Sequence, residues 1–210
     1  QAAGLVPIVE PEVIFDGSDD SPATHDLAAS YAATTRMLEL TFEALAQAGV
    51  WLDGIVLKTS MILAGKNAPQ QTDAETVGFE TLKGLVKTVP AGVGAVVFLS
   101  GGQGDDQATA NLDAVIRASQ TRLSEAREAA VAELRAEGNA ARAEAVAALT
   151  QAPWPISYSF GRGLQAKPFK TWGGKADQVG EEGQEDAQQQ PVGGAPGAHV
   201  NWWGPPREFG

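Results

Sequence analysis

Residues 51–63 read WLDGIVLKTSMIL, an apolar run interrupted by one lysine, Lys58. Ile55, Val56 and Leu57 precede it, and Met61, Ile62 and Leu63 follow. A run this short and this rich in β-branched residues predicts a strand buried on both faces, as in parallel sheets. Side chains alternate along a strand, so Val56, Lys58 and Ser60 share one face and Ile55, Leu57 and Thr59 the other. An amine among apolar neighbours sheds hydration, and a neutral lysine attacks carbonyl carbon, the opening step of Schiff-base chemistry. The plainer alternative is a lysine at a strand end that lays its stem on apolar surface and reaches water.

The same strand pattern recurs on both sides of this stretch. Residues 4–14, GLVPIVEPEVI, predict a buried strand in which Val6, Ile8, Glu10 and Glu12 share one parity. Pro11 keeps Glu10 extended and removes a ladder donor. Two residues along a strand span roughly 7 Å, which puts both carboxylates on one face at the C-terminal tip. Two such carboxylates suit acid/base work, and the competing reading is a solvated acidic loop. Residues 92–100, GVGAVVFLS, predict a third buried strand, running into Gly101-Gly102-Gln103-Gly104. A glycine-rich turn between strand and helix presents backbone N–H groups to phosphate, although glycines also punctuate ordinary turns. The turn is neither a dinucleotide fingerprint nor a P-loop, so nothing supports a nucleotide. Residues 153–162, PWPISYSFGR, predict a fourth strand ending in Gly161-Arg162.

Helical patterns fill the intervals. Residues 25–48 carry a broad apolar stripe, with Thr24 as the expected cap and Gly49 as the stop. Thr72 is the expected cap of a helix over 73–89, which Pro90 ends. Asp105 opens the next helix. Residues 119–150 are mostly Ala, Glu and Arg and predict a long helix or a hairpin that breaks at Gly138-Asn139. A charge-laced helix of this kind reads as a solvated face, with a packing interface as the alternative. A short helix over 164–172 stops at Gly173-Gly174. The expected organisation is three βα units in 1–117, an inserted helical segment in 118–152, the last strand and its helix in 153–179, and a mobile tail in 180–210.

Four βα units predict an α/β fold with parallel pairing. The candidate groups all fall at strand C-termini: Glu10 and Glu12, Lys58, Ser100 to Gly102, and Gly161 with Arg162. Convergence on one rim is how a TIM-type (β/α)8 barrel builds its site. These four units would make half of one.

Composition removes several function classes. The 210 residues are 43% hydrophobic and 20% charged, which suits a globular core. The net charge of -11 argues against nucleic acid as a partner. There is no cysteine, and the two histidines, His25 and His199, lie far apart, so thiolate or histidine metal sites and a Ser-His-Asp triad have little to work with. No apolar run approaches the roughly 20 residues of a membrane span, and the cytosol is the default location. The chain opens at Gln1 and enters a strand-like run almost at once, which suggests the middle of a longer protein.

Taken in order, GLVPIVEPE (4–12), WLDGIVLK (51–58) with its following Ser60-Met61, FLSGGQ (98–103), NLDAVIR (111–117), and SFGRGLQ (159–165) with KTWGGK (170–175) resemble the class I (Schiff-base) fructose-1,6-bisphosphate aldolases. The resemblance implies strands five to eight of the barrel. It also implies reversible cleavage of fructose 1,6-bisphosphate to dihydroxyacetone phosphate and glyceraldehyde 3-phosphate in glycolysis and gluconeogenesis, with no metal or other cofactor. It makes Lys58 the imine-forming lysine, Glu10 the proton shuttle and Glu12 the neighbour that orients the lysine. Ser100, Gly101 and Gly102 match one half of a phosphate grip, Gly161 and Arg162 the other. It further implies sugar phosphates as the small-molecule partners and a homo-oligomer, a tetramer in many relatives. Thr59 and Ser60 stand where the family commonly has Pro-Asn, and Phe160 where it often has Tyr. Two alternatives stand beside this reading: a truncated, non-catalytic half barrel acting through binding or assembly, and a Schiff-base lyase for another sugar phosphate.

Overall fold

The structure, a computed structural model, describes residues 1–175. The elements alternate as the sequence predicts: β1 (Ile8–Val9), α1 (Leu27–Gln47), β2 (Val56–Thr59), α2 (Ala74–Thr88), β3 (Ala95–Phe98), α3 (Asp105–Thr121), α4 (Leu123–Ala136), α5 (Ala140–Ala147), β4 (Ile156–Tyr158) and α6 (Arg162–Trp172). The strands form one parallel sheet in the order β1-β2-β3-β4. All four, with α1 to α5, belong to one compact unit, Gln1–Lys167, whose boundary falls inside α6. The tail expected over 180–210 lies outside the described residues. Among the described residues, no helix is long and apolar enough to cross a membrane.

The two faces of the sheet differ. Ile55, Leu57, Thr59, Val96 and Phe98 are sealed on one side. Their apolar members join Leu38 and Phe42 of α1, Leu82 and Leu85 of α2, and Leu112 and Val115 of α3 in a single core. Fully burying side chains of this size contributes about 1.5–3 kcal/mol each. Gly78 lets α2 and α3 approach closely, since a Cβ there would lie 2.6 Å from the Ala114 carbonyl oxygen. On the opposite face Val56, Lys58, Val97 and Ser157 are only half-buried.

That asymmetry corrects the expectation of buried strands, which for β2 extends to both faces. Residues 4–14 depart furthest from it. Only Ile8 and Val9 form strand, and Leu5, Val6, Ile8 and Ile14 are exposed. Among the described residues β1 pairs only with β2, and Pro7 and Pro11 supply no ladder donors.

The helix caps also differ from expectation, in the same way twice. Asp26, not Thr24, caps α1 by accepting from Ala29 N at 2.8 Å. Asp73, not Thr72, caps α2 by accepting from Thr76 N at 2.9 Å. Aspartate is the stronger cap, and its charge also faces the positive end of the helix.

The solvated-face reading of residues 119–150 is overturned. The segment breaks at Arg122 and again at Gly138-Asn139, and α4 packs directly on α2. Ala126, Ala130, Val131 and Leu134 of α4 are buried. Glu133 of α4 and Glu137, the residue that caps its C-terminus, meet Lys83 and Lys87, one turn apart on α2. Lys83 Nζ lies 3.3 Å from Glu133, and Lys87 Nζ lies 3.3 Å from Glu133 and 2.6 Å from Glu137. Tyr31 of α1 donates to Glu133 Oε2 at 2.7 Å, and its ring lies 4.1 Å below the Lys83 ammonium. Arg142 of α5 closes the C-terminal end of α2, donating to the carbonyls of Lys87 at 3.0 Å and Val89 at 2.8 Å.

Candidate active site

Parallel register aligns the site. Ile8 faces Val56 and Val9 faces Leu57, so the next residue of the first strand, Glu10, comes level with Lys58. Lys58 in turn faces Val97 of β3, which faces Ser157 of β4. Partners in register point to the same side, so this row crosses the open face of the sheet near its C-terminal rim. Lys58 Nζ lies 2.9 Å from Glu10 Oε1, and their side chains are 19% and 46% exposed. Among the described residues, Glu10 is the one carboxylate within ion-pair distance of the amine.

The chain beyond β1 folds back over the rim. Val13 N donates to Ser60 Oγ at 3.3 Å, which fixes the segment carrying Glu12 against the end of β2. Ser60, one of the two departures after the lysine, thus anchors this loop. Thr59, the other, turns its buried hydroxyl into the helix side, where it has no hydrogen-bond partner among the described residues. The two glutamates have different neighbours. Glu10 takes Lys58, while Glu12 Oε1 lies 3.7 Å from where a Cβ on Gly101 would stand.

The turn after β3 is built for close approach. Gly101 and Gly102 have φ of +61° and +88°, a region that strains residues with a Cβ. Gln103 is buried and locks the turn from beneath. Its backbone and side-chain nitrogens both donate to the Ser100 carbonyl at 3.0 Å, and its Oε1 accepts from Asn111 Nδ2 at 2.7 Å. The FLSGGQ and NLDAVIR stretches therefore meet physically, the first as turn and the second as its support on α3.

Arg162 is the first residue of α6 and reaches Asp16, whose carboxylate lies against Gly102 of that turn. Its Nη1 donates to Asp16 Oδ2 at 2.9 Å. Gly161 is exposed and open, with nothing within 4 Å of a built Cβ. Gly163 is the glycine that touches the turn, 3.7 Å by the same measure from Ser100 Oγ. The structure thus gathers Glu10, Glu12, Lys58, Ser100, Gly101, Gly102 and Arg162 at the strand C-termini. It adds Asp16 and Gly163, which pattern reading passed over. The available signal for Asp16 was an Asp-Gly pair in the loop that follows the two glutamates.

Comparisons with known proteins point to one family. The family model for class-I fructose-bisphosphate aldolase matches residues 1–126 and 130–193. The chain is 37% identical over 179 residues to the cytoplasmic isozyme 2 of fructose-bisphosphate aldolase from Pisum sativum, covering 85% of this chain and 40% of that protein. It is 38% identical over 172 residues to a probable class 1 enzyme of Xanthomonas axonopodis pv. citri, covering 82% and 40%. A crystal structure of the Plasmodium falciparum aldolase, in complex with TRAP and a small-molecule inhibitor, matches with a TM-score of 0.64 and 33% identity, over 88% of this chain and 42% of that one. The chain therefore spans about 40% of the length of the curated relatives it matches.

Proposed function

The chain belongs to the class-I fructose-bisphosphate aldolase family, and on that premise we propose that the protein carrying it cleaves fructose 1,6-bisphosphate reversibly through an imine on Lys58. The observation that carries this reading is the Lys58–Glu10 pair at 2.9 Å, on the same rim as the Ser100–Gly102 turn and Arg162. Nucleophile, proton carrier and anion site then stand within reach of one small molecule.

The chemistry follows from those roles. The Lys58 amine forms a C–N bond to the C2 carbonyl of the open-chain ketose and yields a carbinolamine. Glu10 gives a proton to the departing hydroxyl, which leaves as water, and the iminium remains. Glu10, left as a carboxylate, takes the C4 hydroxyl proton, the C3–C4 bond breaks, and its electron pair flows into the iminium. Glyceraldehyde 3-phosphate departs and an enamine stays on Lys58. Protonation and hydrolysis release dihydroxyacetone phosphate and restore the amine. The iminium is the electron sink, so the step needs no metal. Glu12 sits beside Gly101 and shapes the wall between the lysine and the turn. The N–H groups of the Ser100–Gly102 turn and the guanidinium of Arg162 hold a phosphate, with Gly161 leaving the approach open.

Sugar phosphates are accordingly the proposed partners, and the cytoplasm the proposed location, as in the names of the plant relatives. The apolar strip of Leu5, Val6 and Ile8 and the half-open sheet face are where further βα units would pack to close a barrel. The test is cleavage of fructose 1,6-bisphosphate by the full-length protein in a coupled triose-phosphate assay, with and without EDTA. Activity that survives the chelator is expected. Activity that dies with it would place the reaction in metal-dependent chemistry and remove the role given to Lys58.

A further inference from the structure

The proposed phosphate grip is already occupied from within. Asp16 Oδ2 accepts from Arg162 Nη1 at 2.9 Å. The same carboxylate lies flat against Gly102, so close that a Cβ on that glycine would collide with it. One carboxylate therefore touches both halves of the grip, the turn after β3 and the first residue of α6. Asp16 is also held in place. Phe15 before it is buried and its carbonyl accepts from Lys66 N at 2.9 Å. Gly17 after it has φ of +63° and packs under the turn made by Ser18 and Ser21. The Asp16 side chain is 28% exposed and that of Arg162 65%, so the aspartate is the fixed member of the pair and the arginine the movable one.

We infer that Asp16 is a resident counter-anion of the phosphate grip, which keeps Arg162 against the Ser100–Gly102 turn while the site is empty and which an incoming phosphate displaces from the guanidinium. The inference rests on the reading of these residues as a phosphate grip. Its physical content is a charge threshold. A phosphate monoester carries a charge near -2 and three acceptor oxygens, so it outcompetes one carboxylate for the guanidinium fork. A monoanion has no such advantage. It would exchange one like charge for another and still feel the repulsion of Asp16 beside it. Asp16 is thus a specificity-setting residue that holds the arginine in position and admits dianions over monoanions.

The experiment measures binding of inorganic phosphate, and separately of acetate, to the full-length protein by calorimetry at fixed ionic strength. Cleavage activity is not needed for the readout. Asp16→Asn keeps the shape and an acceptor for Arg162 but removes the charge. Asp16→Ser serves as the second variant if Asn does not fold. The expected result is phosphate bound about five- to tenfold more tightly than by the parent, with acetate tightening at least as much, because the competing charge is gone. Arg162→Ala should weaken phosphate, and Asp16→Asn placed on top of Arg162→Ala should tighten it less than Asp16→Asn does in the parent, because the competition for the guanidinium is gone. A neutral residue at position 16 that leaves phosphate binding unchanged or weaker overturns the inference. Phosphate binding unaffected by Arg162→Ala instead overturns the grip itself, whatever Asp16 does. A merely structural aspartate would not make its own neutralisation tighten a ligand.

Discussion

Lys58 Nζ lies 2.9 Å from Glu10, and Lys87 Nζ lies 2.6 Å from Glu137. As pairs the two are alike, but their surroundings are not. Lys87 is 6% exposed, has a second carboxylate in Glu133 at 3.3 Å, and belongs to a cluster that includes Lys83 and Tyr31. Burial works against its charge, yet the two glutamates outweigh burial and hold the ammonium above the ordinary lysine range. Burial likewise opposes the Glu133 carboxylate, but Tyr31, Lys83 and Lys87 together keep it below the usual carboxylate range. Burial first, and Glu133 second, push the Tyr31 phenol far up, so it stays a donor. Lys83, Lys87, Glu133 and Glu137 on the α2–α4 seam each have an opposite charge within ion-pair distance. Among the described residues Lys58 has one carboxylate partner, itself 46% exposed, and it lies on the half-buried face of the sheet. A lysine enclosed by several partners is committed to the fold, whereas one with a single partner on an open rim has a nitrogen free for a substrate.

Exchanging the lysines breaks the comparison most sharply. Lys58→Arg keeps the charge and the Glu10 contact but removes the neutral amine, since a guanidinium does not deprotonate. Cleavage by the full-length protein should fall by about a thousandfold or more, with the melting midpoint nearly unchanged. Lys87→Met should do the reverse. It leaves Glu133 and Glu137 facing each other with less compensation, and these side chains are 32% and 49% exposed, so water screens part of the loss. The cost should be about 1–2 kcal/mol in denaturant unfolding, with kcat/KM close to the parent's. If Lys87→Met abolished activity while stability held, the division between the two regions would be wrong.

A smaller effect comes from pH. Glu133 titrates lower in the folded chain than its ordinary 4.5. Its contribution is therefore full above that value and is lost as pH falls through the folded one. Lys87 titrates higher than its ordinary 10.5, so its contribution is full below that value and disappears only as pH rises through the folded one. Unfolding midpoints measured from pH 3 upward should show an acid-side loss that is reduced in Glu133→Gln. An acid limb identical in parent and variant would detach Glu133 from the stability of the seam.

How much of this was legible beforehand divides along the same line. The four strands, their parallel order and the rim position of Lys58 follow from apolar runs and period-two alternation, which are local signals. Glu10 and Lys58 were placed on one rim because both end strands. The helix starts slipped by one or two residues because Asp and Thr compete for the same capping role within a few positions, as at Thr72 and Asp73. The α2–α4 seam was misread because its evidence is non-local. Lys83 and Lys87 match Glu133 and Glu137 in spacing, but 50 residues separate each lysine from the glutamate one full match away, and either helix alone looks solvated. Asp16 and Arg162 are 146 residues apart and meet only because the first and last strands bring their loops to one end of the sheet. The exposed face of β1 was missed for the opposite reason. A hydrophobic strand pattern reports what a segment can bury, and here its edge has no second partner among the described residues.

The central claim is that the half-open lysine, and not one of the enclosed ones, carries the covalent chemistry. Borohydride reduction of the full-length protein in the presence of dihydroxyacetone phosphate, followed by peptide mass mapping, tests it directly. The account predicts one stable secondary amine, on the peptide containing Lys58, and none in Lys58→Arg. No adduct at all, or an adduct on Lys83 or Lys87 with Lys58 unmodified, would contradict it.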